Sequence, residues 1–361
     1  MKKKCRFVGI MFLCIIIVCT VLVMIYERAT NNNTKENENF TVVTSFYPMY
    51  IAALNIVDGA DGVTLENLSE PQTGCLHDFQ LTPEDMKLLS TADLFVINGG
   101  GIESFMSDVA KAYPDLTVVE ACKNVELINE SEEDVDTHDH DHEADSDETD
   151  HDHDHEADSD ETDHDHDHEA DSDETDHDHE TDSDESGHDH DHGDENAHAW
   201  MSVARYRVMV STIAESLSKA DPSNAAIYDS NAKKYDAKLA ELEEKEKEIK
   251  QKTAGNDIII FHEAYEYVAD DFGMNVCYLM DLDEERAVSA GEVSDVINAV
   301  RNDGVSVILA EELYGKDLGD TVSRETDVKM VYIDPLNRGN YDKNSYIEGM
   351  EKNFELIEAA F

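Results

Sequence analysis

The chain is poor in positive charge, has almost no histidine outside one segment, and lacks the spacings of the common metal motifs. Lys and Arg number 27 against 84 Asp and Glu, and the net charge of −57 argues against nucleic-acid binding and favours cationic ligands. The six cysteines show no CxxC spacing, which argues against a thiolate metal centre. No HExxH sequence is present, so the usual signature of a metalloprotease is missing.

One segment holds most of the histidine and no positive charge at all. Residues 131–196, the acidic tract, contain 34 Asp and Glu, 14 His, and no Lys or Arg. The unit HDHDHEADSDETD begins at His138, His151 and His164. With so few apolar residues the tract cannot bury a core, which predicts a disordered loop. A merely solubilising tail is the alternative, but acidity needs no histidine, so we predict a low-affinity metal-binding loop. Its candidate ligands are His138, His140, His142, His151, His153, His155, His164, His166, His168, His177, His179, His188, His190 and His192.

The N-terminus has the pattern of a targeting segment. A basic start at residues 2–6 precedes an apolar run at residues 7–26, which is long enough to span a bilayer. The basic flank predicts that the body of the protein lies outside the cytoplasm. We favour an uncleaved anchor over lipidation of Cys19, because Val18 is bulkier than the small residue such processing usually requires. Both predict tethering to the extracytoplasmic face of the membrane.

On both sides of the tract, short apolar strands alternate with amphipathic helices. This alternation predicts parallel sheets with helices on their faces. Between the two regions Tyr228, Tyr235, Leu242 and Ile249 recur every seven residues, which predicts one long helix. The predicted fold is therefore α/β: two βα lobes with parallel sheets, joined by a long rigid helix, with a metal cleft between them. The predicted boundaries are an anchor at 1–26, a polar linker at 27–40, the N-terminal lobe at 41–130, the tract at 131–196, the rest of that lobe at 197–221, the long helix at 222–254 and the C-terminal lobe at 255–361.

Only three histidines lie outside the tract, and each stands at a strand end or a segment entrance. They are His77, His198 and His262. In open α/β sheets that edge is where ligands bind. A single such histidine is usually structural, but three in equivalent positions favour one tetrahedral Zn²⁺ site. Cu²⁺ and Ni²⁺ also bind nitrogen-rich sites, whereas Mn²⁺ prefers more oxygen ligands.

A fourth ligand would be a carboxylate or water. We rank Glu311 first, because it follows a predicted strand of the C-terminal lobe, with Glu312 and Asp334 as alternatives. Glu263, beside His262, is predicted to orient an imidazole rather than to bind the metal itself.

Several motifs together resemble the metal-specific solute-binding proteins of ABC importers, in their zinc branch. The resemblance covers about residues 41–360 and rests on SFYPMY (45–50), GCLHDFQLTP (74–83), ADLFVINGGGIE (92–103), HAWMS (198–202), DPSNAAIYDSNAKKY (221–235), FHEAYEY (261–267) and ETDVKMVYIDPL (325–336). It implies two α/β lobes joined by a rigid helix, with the metal between them and an acidic His-rich loop nearby. The implied ligands are His77, His198 and His262, with a carboxylate matching Glu311, or a water. Cys75 would be a soft ligand or half of a disulfide with Cys122.

The resulting hypothesis is a monomeric, tethered protein that captures Zn²⁺ as cargo and hands it to an ABC-type permease without catalysing a reaction. A zinc hydrolase with a His₃ site and a surface zinc buffer or adhesin are the alternatives. The hydrolase would need a general base above the metal-bound water.

Overall fold

A computed structural model of the chain describes residues 39–69, 76–77, 79–129, 195–282 and 286–361. The N-terminal apolar run, Cys75 and the fourteen tract histidines lie outside these residues. Within the described ranges no helix is long and apolar enough to cross a membrane.

The N-terminal lobe is built on a four-stranded parallel sheet in the order β2-β1-β3-β4. All four residues of β3 are buried, as expected when both faces of a parallel sheet are covered. The helix α2 begins where the sequence predicts it: the Thr82 hydroxyl accepts the Asp85 N–H, and the Asp85 carboxylate accepts the Thr82 N–H. The elements are β1 (Phe40–Thr44), α1 (Tyr47–Ile56), β2 (Val63–Asn67), α2 (Pro83–Leu89), β3 (Leu94–Ile97), α3 (Met106–Ala112) and β4 (Thr117–Glu120).

A two-residue antiparallel pair joins the two ends of the tract. In it β5 (Ile128–Asn129) pairs with β6 (Glu195–Asn196), so that Ile128 stands opposite Asn196. Glu195 and Asn196 therefore form a strand of the folded body, and assigning them to the tract was wrong. The physical reason is burial, since Asn196 is completely inaccessible to solvent.

Two helices follow the pair and lead from the first lobe to the second. They are α4 (Val203–Ala220) and α5 (Ala225–Thr253), which is 29 residues long and so spans roughly 44 Å. The heptad positions Tyr228, Tyr235, Leu242 and Ile249 are all buried, as their spacing predicts.

The C-terminal lobe has a second parallel sheet, in the order β10-β9-β7-β8. Its two inner strands are buried almost throughout. The elements are β7 (Asp257–Ile260), α6 (Tyr265–Phe272), β8 (Asn275–Leu279), α7 (Ala290–Asp303), β9 (Val307–Ala310), α8 (Glu312–Glu325), β10 (Lys329–Tyr332) and α9 (Ser345–Glu358). The predicted fold class, two α/β lobes with parallel sheets, is confirmed.

The lobes are held together by buried polar contacts as well as by the long helix. The Trp200 indole N–H donates to the Pro335 carbonyl at 2.8 Å, and the Tyr346 hydroxyl donates to the Trp200 carbonyl at 2.7 Å. The rings of Tyr206 and Tyr346 are stacked with centroids 3.8 Å apart. Each of these contacts joins residues from different lobes, so one continuous core crosses the boundary between them.

The helices α5 and α9 run side by side in the same direction. Lys238 contacts Asn344 at 3.3 Å, and Lys252 contacts Glu358 at 2.5 Å. Between these two contacts Lys245 pairs with Glu351. The pairs recur every seven residues on both helices, which keeps α9 in one register along the connecting helix.

Candidate metal centre

Each of the three isolated histidines stands at the edge of an element, facing the region between the lobes. His77 lies in the loop before α2, and His198 precedes a 3₁₀ turn at Ala199–Met201. His262 follows β7, where the Phe261 N–H still donates to the Leu309 carbonyl of the neighbouring strand. Two of the histidines therefore come from the first lobe and one from the second.

The structure brings the three imidazole rings close to one another, and one carboxylate contacts two of them. The ring centroids of His77 and His198 are 5.1 Å apart, and those of His198 and His262 are also 5.1 Å apart. The Glu263 Oε1 atom lies 3.2 Å from Nε2 of His77 and 3.2 Å from Nδ1 of His198. Ligand atoms of His77, His198 and Glu263 fall within 4.8 Å of one another, which is compatible with one small cation.

His198 is buried, with 4 % of its surface exposed. Burial lowers the pKa of its imidazole well below the usual 6.5, and positive charge on His262 or His77 would lower the pKa further. Such a ring stays neutral, which is the form that binds a metal. The His77 side chain is 28 % exposed, so the cluster opens to solvent on that side.

His262 is held differently. The Ala264 N–H donates to Nδ1 of His262 at 2.9 Å, at the start of α6. In a neutral ring with this contact the proton sits on Nε2. His262 can therefore bind a metal only if its proton moves or its ring turns.

Two aromatic residues and one turn form the wall behind the imidazoles. Trp200 lies 5.0 Å from the His198 ring, and Tyr265 lies 5.5 Å from the His262 ring, measured between centroids. The Tyr265 hydroxyl donates a hydrogen bond to the Ile333 carbonyl at 2.8 Å, and the Trp200 indole N–H donates one to the Pro335 carbonyl. The same turn thus fixes both aromatic residues, and this wall keeps bulk water away from one side of the cluster.

The three carboxylates proposed from the sequence as fourth ligands have hydrogen-bond or ion-pair partners of their own. Glu311 is 3 % exposed and forms an ion pair with Arg338. Glu312 pairs with Lys316 at 3.2 Å on the outer face of α8, and the Asp334 carboxylate accepts the Leu336 N–H at 2.8 Å. All three line one pocket of about 180 Å³. Glu263 contacts two of the imidazoles, and Glu311 as fourth ligand, with Glu312 and Asp334 as alternatives, stays a prediction.

The comparison with protein families decides where the chain belongs. Residues 42–360 match the family described as ZnuA, the periplasmic component A of the zinc-uptake complex. The chain belongs to this family.

Relatives and a solved structure agree with that assignment. The zinc-binding protein AdcA of Streptococcus pyogenes serotype M3 is 28 % identical over 328 residues, which cover 88 % of this chain and 55 % of AdcA. The chain thus spans about half the length of this relative. The high-affinity zinc uptake system protein ZnuA of Bacillus subtilis is 25 % identical over 352 residues, covering 95 % of each protein. The structure of Zn(II)-bound AdcA from Streptococcus pneumoniae superposes with a TM-score of 0.64 at 19 % identity, covering 89 % of this chain and 57 % of AdcA, which supports the shared fold.

Two of the cysteine expectations can be followed in the structure. Cys122 is buried and forms no disulfide with a described cysteine, and burial raises the pKa of its thiol above the ordinary value. Its proposed partner Cys75 lies outside the described residues, so that disulfide stays a prediction. Cys277, on β8, likewise forms no disulfide with a described cysteine.

Sequence reasoning missed Asn196, which contacts His198 through both backbone and ring. The Asn196 Oδ1 atom lies 3.0 Å from the His198 backbone nitrogen and 3.0 Å from its Nδ1. A polar residue two positions before an isolated histidine is a local signal that could have identified it.

Proposed function

We propose that this protein captures Zn²⁺ outside the cytoplasm and delivers it to an ABC-type permease. The observation that carries the proposal is the cluster itself: the ligand atoms of His77, His198 and Glu263 form the one such group that converges among the described residues, and the His262 ring of the second lobe lies against that of His198. Imidazole nitrogen with one carboxylate oxygen is a donor set that suits Zn²⁺. Membership of a zinc-uptake family supports the same cargo.

The arrangement favours binding and release over chemistry on a substrate. The wall formed by Trp200 and Tyr265 closes one side of the cluster, and the partly exposed His77 gives access on another. Glu263 already contacts two imidazoles, so it acts as a ligand or orients the rings. Release then requires only that a few ligands move apart.

We further propose that the acidic tract collects zinc with low affinity near the tethered body, and that the N-terminal segment keeps the protein at the membrane. The tract has many similar ligands and few apolar residues to order them, so each site it forms must offset the conformational entropy that is lost when its ligands are brought together. Such sites exchange quickly, which suits a collector. The same argument predicts that no single tract histidine is essential.

The test is a zinc titration of the metal-free full chain against a competing chelator. We expect one tight equivalent above a background of weak ones. His198→Ala should abolish or greatly weaken the tight equivalent, because a buried neutral ligand has no substitute. The matched control is His153→Ala in the tract, which should leave the tight equivalent unchanged. Equal effects of the two substitutions would refute the assignment of zinc capture to this cluster.

A further inference from the structure

Asn196 occupies a central position between the two lobes. It is the last residue of β6, it is fully buried, and both its side chain and its backbone carbonyl are hydrogen-bonded. The Asn196 Nδ2 atom donates to the Glu263 carbonyl at 2.9 Å and to the Glu266 carboxylate at 3.0 Å. The Tyr267 hydroxyl donates to the Asn196 carbonyl at 2.5 Å. Asn196 thus links the His198 segment of the first lobe to the start of α6 in the second.

These contacts leave only one orientation for the Asn196 amide. Its NH₂ group must face the two acceptors, Glu263 and Glu266, because two oxygens in that position would repel each other. Its oxygen must then face the His198 backbone N–H, which can only donate. The same oxygen lies 3.0 Å from the Nδ1 atom of the His198 ring.

An oxygen that can only accept requires a proton on the facing ring nitrogen. The Glu263 Oε1 atom, 3.2 Å from the same Nδ1, makes the same demand. Two acceptors therefore converge on one nitrogen of His198, and a neutral ring carries its single proton there. The lone pair then resides on Nε2.

We propose that Asn196 is a positioning residue that holds neutral His198 as its Nδ1–H tautomer, so that Nε2 is ready to bind a divalent metal ion before the ion arrives. The metal part of this inference rests on the proposed function, whereas the tautomer does not. A hydrogen bond from the far nitrogen of a metal-binding imidazole fixes ring orientation and increases ligand basicity. Because Asn196 is also bonded to Glu263 and Glu266, it orients the His198 ring relative to the second lobe as well as to its own.

His262 provides the contrast within the same cluster. Its Nδ1 accepts a backbone N–H, so its lone pair is already used and its proton lies on Nε2. His198 is thus prepared for the metal, and His262 must rearrange.

The first test needs no substitution. Long-range ¹H–¹⁵N correlation spectra of the metal-free full chain, labelled with ¹⁵N-histidine, distinguish Nδ1–H from Nε2–H rings. The His198 signals are assigned as those lost in His198→Gln. We expect His198 as a single Nδ1–H tautomer at pH 7.5. Finding it as Nε2–H, or as an even mixture, overturns the proposal.

The second test uses three substitutions. Asn196→Leu removes one of the two acceptors at similar volume and leaves the longer Glu263 contact at Nδ1, so the Nδ1–H preference of His198 should weaken and the tight zinc equivalent should weaken about 10–100-fold. Asn196→Asp keeps an oxygen facing Nδ1 and should retain the tautomer, although it loses the donor to Glu263. Tyr267→Phe is the control, because it removes a bond to the same residue without touching the ring; it should change neither the tautomer nor, beyond about threefold, the zinc affinity.

The possible outcomes separate this inference from the proposed function. If Asn196→Leu folds, keeps the Nδ1–H tautomer and binds zinc as tightly as the unaltered chain, the role of Asn196 is refuted while zinc capture stands. If no variant, and not even the unaltered chain, binds one tight zinc, the proposed function fails while the tautomer result still decides the role of Asn196. If Asn196→Leu does not fold, the spectrum of the unaltered chain and the Asn196→Asp variant decide it.

Discussion

The buried carboxyl group of Glu246 on the long helix should make the stability of this protein depend on pH. Glu246 is 7 % exposed, and its Oε2 atom has no hydrogen-bond partner among the described residues. Burial, together with the negative charges of Asp271 and Glu243, raises the pKa of this carboxyl from its ordinary 4.5 to about 8, although Lys250 and Lys247 act in the opposite direction. The folded protein is therefore most stable when this carboxyl is neutral.

The sign and size of the effect follow from that shift. The folded-state pKa lies above the unfolded value. The contribution of Glu246 to the free energy of unfolding is therefore fully present below pH 4.5 and is lost as pH rises towards 8. At about 1.4 kcal/mol per pKa unit, the loss is about 1 kcal/mol at pH 5 and about 4 kcal/mol at pH 8. Glu246→Gln keeps the shape of the neutral acid and does not ionise. Its stability relative to the unaltered chain should therefore rise by about 3 kcal/mol between pH 5 and pH 8.

The assay is urea unfolding of both chains at several pH values between 5 and 8. Glu292→Gln on α7 is the control. Hydrogen bonds from Ser289 and Arg286 lower the pKa of Glu292 to about 2, so its contribution is constant above pH 5. The difference between Glu292→Gln and the unaltered chain should thus be independent of pH. A difference for Glu246→Gln that is equally flat from pH 5 to 8 would show that the carboxyl is not buried as described.

Three further predictions concern the metal and the lobes. Because burial lowers the pKa of His198, the zinc affinity should stay constant between pH 7.5 and 6.5 and fall at lower pH, where protons compete with zinc for the imidazoles. Chelator competition at each pH measures this affinity. An affinity still unchanged at about pH 5 would mean that carboxylates are the main ligands of the site. Deleting residues 131–194, which leaves β6 intact, should remove most bound zinc but leave one tight equivalent in a metal-content assay. Loss of the tight equivalent would contradict the proposal that the tract binds zinc weakly and the cluster binds it tightly. The radius of gyration of that variant, near 20 Å by small-angle scattering, should change by less than about 1 Å when zinc is removed. The reason is that the long helix and the Trp200–Tyr346 contact join the lobes. A larger change would mean that the lobes open.

Much of the fold could be predicted because its signals are local. Strands and helices follow from the spacing of apolar residues over five to fifteen positions, and the start of α2 follows from Thr82, Pro83 and Asp85. The long helix follows from apolar residues that recur every seven positions over residues 228–249. Parallel sheets follow from strict alternation of the two element types.

The identity of the cluster histidines could also be predicted, because a chain that confines histidine to one tract leaves only His77, His198 and His262 elsewhere. Their convergence is an observation of the structure. It depends on how β6, β7 and the loop before α2 meet, and no periodicity in the sequence encodes that meeting.

The carboxylates separate what local sequence can determine from what it cannot. Glu311 and Glu263 both follow a buried strand, and both stand next to a residue that could bind or orient a ligand. The sequence alone therefore ranks them as metal ligands only by their position after the strand. The tertiary structure pairs Glu311 with Arg338 and brings Glu263 to two imidazoles. The physical reason is that the contacts of a buried charge depend on packing between segments that are far apart in the chain. Asn196 and Glu263 are such a pair, hydrogen-bonded across 67 positions of sequence. Composition, charge and periodicity thus determined the kind of protein and the residues available for its chemistry, whereas the packing of the two lobes decided which of those residues meet.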